Sequence, residues 1–219
     1  MSDCEHELPR RAAGLPPDWR ARLDAARVTI ARLTPAEELT ARRALAEAWL
    51  EVIELEAGAA LLELRAAPEA EVALQTLGTL VAADDDPALR TALAFALLAI
   101  GRARRLSAPA GRAKVDAEVQ AIEAALVLAE RAPAIDALVA TCLSAIVKSG
   151  QFQLEADVRE RAFAAGRELR ARFSTTASPR VAAEVARGLD EWAKMLPKTS
   201  PEREALLTER DRLRALTTP

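Results

Sequence analysis

Aromatic side chains are scarce in this sequence, and several residue types that chemistry depends on are nearly absent. Phe, Trp and Tyr together make up 3% of the 219 residues, Tyr does not occur, and there is a single His. The chain contains only 8 Gly, too few for a fold rich in tight turns or glycine loops. Packing must come from Ala, Leu, Val and Ile. Because Ala and Leu are among the strongest helix formers, the composition predicts an all-α fold.

The shortage of Cys and His argues against a metal site or a cysteine nucleophile. Cys4 and His6 lie in an unpatterned segment, whereas a zinc site needs three or four ligands on a rigid scaffold. Cys142 lies in an apolar run without a His that would help form its thiolate, which predicts a buried core cysteine. Two cysteines placed in this way do not make a disulfide framework and are typical of a reducing compartment.

Two groups of carboxylates invite a metal interpretation, but the surrounding sequence does not fit one. Asp84, Asp85 and Asp86 precede Pro87 without the Gly and terminal Glu of a calcium loop, so Asp86 is predicted to cap a helix. A second group lies on one predicted helix: Glu47, Glu51, Glu54 and Glu56. A di-iron site would need Glu-x-x-His from two helices, so we predict a solvated edge. We therefore expect no metal, no cofactor and no enzymatic activity.

The charge and hydropathy patterns bear on location and partners. The formal net charge is −3 with a pI near 5.5, which gives no general attraction to nucleic acid or anionic lipid. The most apolar stretches, residues 91–101 and 137–147, are about half the ~20 residues needed to span a bilayer. The first residues lack the apolar core of a signal peptide. We expect a cytoplasmic protein with no membrane and no nucleic-acid partner. The excess of Arg over Lys is typical of a GC-rich bacterial genome.

A repeated dipeptide marks predicted helix starts. A residue that can cap a helix precedes a proline at four points: Thr34-Pro35, Asp86-Pro87, Ser178-Pro179 and Ser200-Pro201. The side-chain oxygen of such a residue accepts an unpaired backbone N–H, and proline suits the first helical position because it lacks a donor there. Glu37, three residues after Thr34, predicts a capping box.

Helical periodicity fills the segments between these points and predicts about nine helices. Their expected ranges are 17–33, 35–66 (with a bend at Gly58), 69–83, 87–105, 112–131, 134–148, 152–173, 179–196 and 201–216. One apolar stripe consists of Val115, Val119, Ile122, Leu126 and Ala129, and a second of Val158, Ala162, Ala165, Leu169 and Phe173. On the opposite face of the second helix, Glu155–Arg159, Asp157–Arg161 and Glu168–Arg172 are predicted i,i+4 ion pairs.

These segments predict an antiparallel array in a single domain. Short connections place sequential helices antiparallel. The apolar helices around 91–101 and 137–147 are expected to lie between neighbours, and the charged helix from Pro201 at an edge. We predict a flexible tail over residues 1–16, one all-helical domain over 17–219, and a hinge near 107–112.

Part of the chain resembles tetratricopeptide-repeat hairpins. Leu77-Gly78 matches the Leu-Gly pair of the first repeat helix, while Gly150 and Phe152 at a turn and the later Ala162 match the turn and the second helix. Arg159, Arg167 and Cys142-Leu143 depart from the pattern, which covers about a third of the chain. The resemblance implies either a repeat-like α-solenoid or an irregular helical bundle.

Three features bear on binding. The densest basic cluster consists of Arg102, Arg104, Arg105, Arg112 and Lys114. Cations favour a helix C-terminus, but the four arginines are also candidates for docking an acidic partner. Trp19, Trp49 and Trp192 are predicted to pack in or against the core. Residues 180–194 loosely resemble half of a helix-turn-helix with Gly188 as the turn, but the following Leu-Asp-Glu would face phosphates poorly.

The sequence thus favours a non-enzymatic interaction module. Stacked helices offer extended surfaces for a partner protein without special chemistry. An adaptor, scaffold or regulatory subunit is the expectation. Two alternatives remain: a self-assembling helical protein, which forms a homo-oligomer, and a regulator that binds a small ligand in a pocket lined by Leu, Ile and Phe.

Overall fold

The computed structural model describes residues 15–34, 37–83, 86–109, 111–131, 135–151, 153 and 155–217. Within these ranges the chain forms nine α-helices and no β-strand, which confirms the predicted all-α fold. The helices are α1 (Trp19–Leu33), α2 (Leu39–Glu63), α3 (Pro68–Ala83), α4 (Pro87–Ser107), α5 (Arg112–Ala129), α6 (Asp136–Ser149), α7 (Ala156–Phe173), α8 (Pro179–Met195) and α9 (Pro201–Ala215). None of these helices combines the length and the apolarity that crossing a membrane would take.

The helix starts at proline are only partly as predicted. Asp86 caps α4, because its Oδ1 accepts the backbone N–H groups of Ala88 at 3.0 Å and Leu89 at 3.3 Å. Ser178 caps α8 through a longer bond from the N–H of Val181, at 3.5 Å. Pro201 begins α9, but the hydroxyl of Ser200 makes no capping bond.

The capping box predicted at Thr34 and Glu37 is wrong. Thr34 is the C-terminal cap of α1, and its hydroxyl donates to the carbonyl of Ile30 at 2.7 Å. The next helix begins only at Leu39, after Glu38. A threonine hydroxyl both donates and accepts, and here the end of the preceding helix takes it.

Other helix ends also differ from the predicted ones for local reasons. α2 ends at Glu63 rather than at 66, because Leu64 adopts a left-handed conformation (φ 53°) that stops the helix. α8 runs without interruption through Gly188, so this position is not the turn of a helix-turn-helix. The helix proposed to begin at 152 starts at Ala156, and Phe152 lies outside the described residues.

The helices pack in the same way twice. α2 contacts α1, α3 and α4, α3 contacts α4, and α4 then contacts α5. α6 likewise contacts α5, α7 and α8, α7 contacts α8, and α8 then contacts α9. We name α1–α4 the first unit and α5–α8 the second unit. As predicted, the apolar helices α4 and α6 lie between neighbours, and α9 lies at an edge, on α8.

Each unit has its own apolar core, and the two cores meet at α4. Leu89 and Ile100 of α4 belong to the first core, which is built from α1 to α4. Ala94 and Phe95 of the same helix belong to the second core, with α5 to α9. Both predicted stripes face inward, with Leu126 as the one half-buried member.

The predicted tail and hinge fall at two points of this arrangement. Residues 1–14 lie outside the described part of the chain, which therefore includes neither Cys4 nor His6. Leu15, within the predicted tail, packs on the first core near Gly58 of α2. The segment near 107–112 joins α4 and α5, which pack closely where Gly101 meets Ala121. A hinge there stays a prediction.

Candidate interaction surface

The predicted basic site is largely occupied by ion pairs within the chain. Arg104 binds the carboxylate of Glu71 through two bonds, from Nε at 2.7 Å and Nη2 at 2.8 Å, and so joins α4 to α3. Arg105 binds Glu118 of α5 at 2.8 Å. Only Arg102 is exposed without an ion pair to a described residue.

Arg112, at the start of α5, is also paired with carboxylates of the chain. Its guanidinium contacts Asp116 at 3.1 Å and Asp157 of α7 at 2.5 Å. Asp157 therefore does not pair with Arg161, which instead lies near Asp116 and Glu123. Of the three predicted pairs on α7, Glu168–Arg172 is the one found, at 2.5 Å. These ion pairs connect helices within the chain. The closeness of the arginines in the sequence is therefore weak evidence for a partner-binding site.

Glycines within the helices point to another surface. A Cβ added at Gly101 would lie 3.2 Å from the Cβ of Ala121, where α4 meets α5. A Cβ at Gly166 would lie 2.8 Å from the ring of Trp192, where α7 meets α8. A Cβ at Gly188 of α8 would lie 2.7 Å from Ser144 Oγ of α6 and closer still to Leu169 of α7, and Gly58 of α2 lies against Leu15. In each case the missing side chain lets another element approach.

Gly78 of α3 is the exception among the helical glycines that the structure describes. A Cβ added there would find nothing within 4 Å. A glycine in the middle of a helix destabilises it by roughly 0.5–1 kcal/mol relative to alanine, because the unfolded backbone loses more freedom. No contact within the described chain accounts for this glycine.

The outer face of α3 around Gly78 is uncharged. The sequence contains no Asp, Glu, Lys or Arg from Val72 to Ala83. The exposed residues of this stretch are Val72, Gln75, Thr76, Thr79, Ala82 and Ala83, and together with Gly78 we name them the α3 face. The side chain of Val72 is 62% exposed.

The threonines of the α3 face have their hydroxyl donors satisfied within the helix. Thr76 donates to the carbonyl of Val72 at 3.0 Å, and Thr79 donates to that of Gln75 at 3.1 Å. Neither hydroxyl requires water for its proton. Covering this face would therefore leave few polar groups unpaired, which lowers the free-energy cost of desolvation.

The corresponding helix of the second unit is different. α7 holds the place in its unit that α3 holds in the first. Its exposed residues include Glu160, Arg161, Arg167 and Arg172, and all four are in ion pairs. A face of this kind is typical of contact with water. The two units thus share a packing scheme but differ in what α3 and α7 present to the outside.

The solvated edge predicted for the α2 carboxylates is wrong for Glu56. Glu47 is exposed, but the side chain of Glu56 is only 8% exposed and lies between Arg27 of α1, at 3.2 Å, and Arg65, at 3.6 Å. Burial raises the pKa of the Glu56 carboxyl and the neighbouring Glu69 raises it further, while Arg27 and Arg65 act in the opposite sense.

We expect Glu56→Gln to stabilise the protein more at pH 8 than at pH 5. A carboxyl whose pKa is raised in the folded state binds its proton more tightly there than in the unfolded chain, so it contributes stability as the pH falls through the folded pKa. Gln removes the charge that is disfavoured at pH 8, whereas Glu56 itself becomes protonated as the pH falls. Urea unfolding at both pH values measures the difference.

Glu63→Gln is the matched control for this prediction, because Glu63 pairs with Arg65 at 2.5 Å but is half exposed. Its effect on the free energy of unfolding should be small, because an exposed ion pair contributes little to stability. A Glu56→Gln effect that is independent of pH would show that the arginines fully compensate for the burial of Glu56.

The other candidate residues that the structure describes have roles in packing and helix capping. Cys142 is buried, and burial raises the pKa of its thiol to about 12, so the thiol stays protonated at neutral pH. Trp192 is buried, and Trp19 and Trp49 pack against the first core. Asp86 is a cap that also binds Arg43, and hydrogen bonds from Arg43 lower its pKa. Asp84 and Asp85 lie outside the described residues.

Two pockets on the described surface differ from the site expected for a small apolar ligand. One, of about 440 Å³, lies where α5, α6 and α7 meet, with Glu130, Asp136 and Arg172 on its wall. The other, of about 600 Å³, lies along α9 beside Glu204, Thr208 and Arg212. No Leu or Ile lines either pocket. In the described ranges no group of three or more His, Cys, Asp and Glu residues is placed to hold a metal ion.

Comparisons with protein families, with characterised proteins and with solved structures found no match to this chain. The α3 face is therefore identified from its geometry alone. Sequence reasoning missed it, although one signal was visible: twelve consecutive residues from Val72 to Ala83 carry no charge in a chain that is 29% charged. The open space beside Gly78 had no signal in the sequence.

Proposed function

We propose that this chain is a non-enzymatic protein–protein interaction module, an adaptor or regulatory subunit, and that it holds a helix of a partner protein against the α3 face. The observation that carries the proposal is the open space beside Gly78. The other glycines within described helices lie where a second element of the chain comes close. No described element of the chain fills the space beside Gly78, so we assign its occupant to another molecule.

The chemistry of the α3 face defines the partner surface. Because an unpaired charge is costly to bury, the partner contributes an uncharged face. A helix is the element that fits, because α3 is helical over 16 residues, about 24 Å, and helices pack through the ridges and grooves of their surfaces. The exposed Val72 provides an apolar contact at one end, and Gly78 permits close approach of the two backbones near the middle.

The arrangement of the chain supports a module of this kind. The repeated packing of the two units supports a repeat-like helical array, and stacked helical repeats offer extended surfaces to partner proteins. We further propose a cytoplasmic location, because Cys142 is a free, buried thiol.

Gly78→Ala is expected to stabilise the isolated protein. Alanine adds a Cβ into open space and removes the backbone-entropy penalty of glycine, so the free energy of unfolding should rise by about 0.5–1 kcal/mol. Chemical denaturation measures the change. A loss of stability would mean that the surroundings of Gly78 are crowded and would remove the main support for the proposal.

Binding is tested by site-specific photo-crosslinking in cells of the source organism. A photoreactive amino acid at Gln75, on the α3 face, should give a discrete crosslinked band, whereas one at the exposed Gln120 of α5 should not. Gly78→Gln places a long uncharged side chain on the face and should remove that band without loss of thermal stability. A band that survives Gly78→Gln, or equal bands from Gln75 and Gln120, would contradict the proposal.

A further inference from the structure

The packing of the two units leaves one helix face open. In the second unit, α5 lies between α6 on one side and α4 on the other. In the first unit, α1 holds the corresponding place and packs on α2, but no described helix takes the place of α4 on its other side. Leu23, Ala26 and Ile30 of α1 face the core.

The open side of α1 has the pattern of a helix-pairing surface. Arg22 and Arg27 reach carboxylates of α2, and the guanidinium of Arg20 lies over the ring of Trp19. The remaining exposed residues of the helix are Ala21, Asp24, Ala25, Val28, Ala31 and Arg32, which we name the α1 face. Ala21, Ala25, Val28 and Arg32 recur at alternating spacings of four and three, which form one stripe along a helix. The side chain of Val28, near the middle of this stripe, is 69% exposed.

We propose that two copies of this chain associate through their α1 faces, with the two α1 helices antiparallel and related by a two-fold axis at Val28.

The charges of the α1 face select this occupant and this orientation. Asp24 and Arg32 lie four residues before and four residues after Val28, about 6 Å along the helix in each direction. In an antiparallel pair centred on Val28, Asp24 of one copy lies at the same height along the helix axes as Arg32 of the other. The two-fold axis produces this arrangement twice. A parallel pair would instead place Asp24 against Asp24 and Arg32 against Arg32, which is repulsive.

Both charged groups are available for such contacts. Asp24 is 78% exposed, and its described ion pair is a long one, 3.9 Å to Arg27 of the next turn. Arg32 makes no ion pair with a described residue. Ala21, Ala25 and Ala31 are small enough to let two helices approach, as Ala121 of α5 does where it meets Gly101 of α4.

The size of the surface determines how strong this association can be. One helix of 15 residues per copy buries well under the roughly 1,600 Å² of a standard stable interface. We therefore expect a reversible dimer that dissociates in the micromolar range. The α3 face plays no part in it, so this inference goes beyond the proposed function and can fail independently of it.

Sedimentation velocity on the purified full chain, from micromolar to millimolar concentration at low salt, tests the proposal. The wild-type protein should shift from monomer to dimer. Asp24→Arg and Arg32→Asp should each weaken self-association by about tenfold or more, because each places like charges opposite one another. An equimolar mixture of the two variants should restore it, since every contact between the copies then joins opposite charges.

Val28→Glu and Val127→Glu form a matched pair for the apolar part of the surface. Val127 is 57% exposed on α5, away from the α1 face. Val28→Glu should abolish the dimer and Val127→Glu should leave it unchanged, with equal circular dichroism for both. A wild-type monomer up to millimolar concentration, a dimer that tolerates Val28→Glu, or a variant mixture that stays monomeric would each overturn the proposal.

Discussion

Leu143→Asp should destabilise the protein severely. Leu143 lies on α6, between α5, α7 and α8, and its side chain is 1% exposed. The substitution removes a large apolar side chain from the second core and places a carboxylate there. Truncating a buried leucine alone costs about 2–5 kcal/mol, and an unpaired buried charge adds to this. We expect a loss of more than about 4 kcal/mol, a large part of the 5–15 kcal/mol typical of a domain.

Leu62→Asp is the matched control, because Leu62 is 66% exposed near the end of α2. Its effect on the free energy of unfolding should stay within about 0.5–1 kcal/mol, including the unfavourable charge at a helix C-terminus. Urea titrations followed by circular dichroism measure both variants. Comparable losses at the two positions would mean that the assignment of α6 to the interior is wrong.

Gly188→Val should be the most damaging substitution of a glycine within the described helices. A Cβ at this position would overlap Leu169 of α7 and lie 2.7 Å from Ser144 Oγ of α6. Leu169 is fully buried and Ser144 donates to the carbonyl of Glu184 at 2.7 Å, so neither side chain can move without loss. Overpacking of this kind costs typically 1–3 kcal/mol, and a branched side chain belongs at the upper end. We expect a loss of about 3 kcal/mol.

The same substitution in α3 provides the comparison. Gly78→Val enters open space, so it should change the free energy of unfolding by no more than about 0.5 kcal/mol. Both variants are measured by denaturant unfolding under one set of conditions. Similar effects at Gly78 and Gly188 would show that helix propensity, and not packing, governs both positions, and would weaken the argument for the α3 face.

If both proposed contacts exist, the dimer presents two α3 faces. A partner with two copies of its own helix would then gain from multivalency, since the second contact becomes intramolecular. Weak self-association and weak partner binding would then reinforce each other. Asp24→Arg would lower the apparent affinity for such a partner without any change to the α3 face.

The sequence predicted the helices well where the signal is local. The stripes from Val115 and from Val158 depend on spacings of three and four residues, and their members lie inside as expected. The cap at Asp86 depends on the next three residues, and it was found. The prediction for Thr34 was wrong because a threonine hydroxyl can cap the start of one helix or bind a carbonyl at the end of another. Five residues separate the end of α1 from the start of α2, and Thr34 belongs to the end of α1.

The predicted partner-binding arginines illustrate the opposite case. Arg104 and Glu71 are 33 positions apart, and Arg105 and Glu118 are 13 apart. Nothing in the sequence near Arg104 indicates that a carboxylate from α3 will reach it. Glu56 was assigned to a solvated edge for the same reason, because its burial depends on where α1 and the end of α2 lie.

By itself, the sequence determined that this chain folds into helices, about where each begins and ends, and which side of α5 and α7 faces inward. Hydrogen bonding and periodicity within a helix act over three or four residues, so they are written in consecutive positions. Only the tertiary structure decided which charges pair, that Glu56 is buried, that a Cβ added at Gly78 would meet open space, and that Val28 is exposed. Those properties arise from contacts between helices far apart in sequence, and they exist only once the helices have packed.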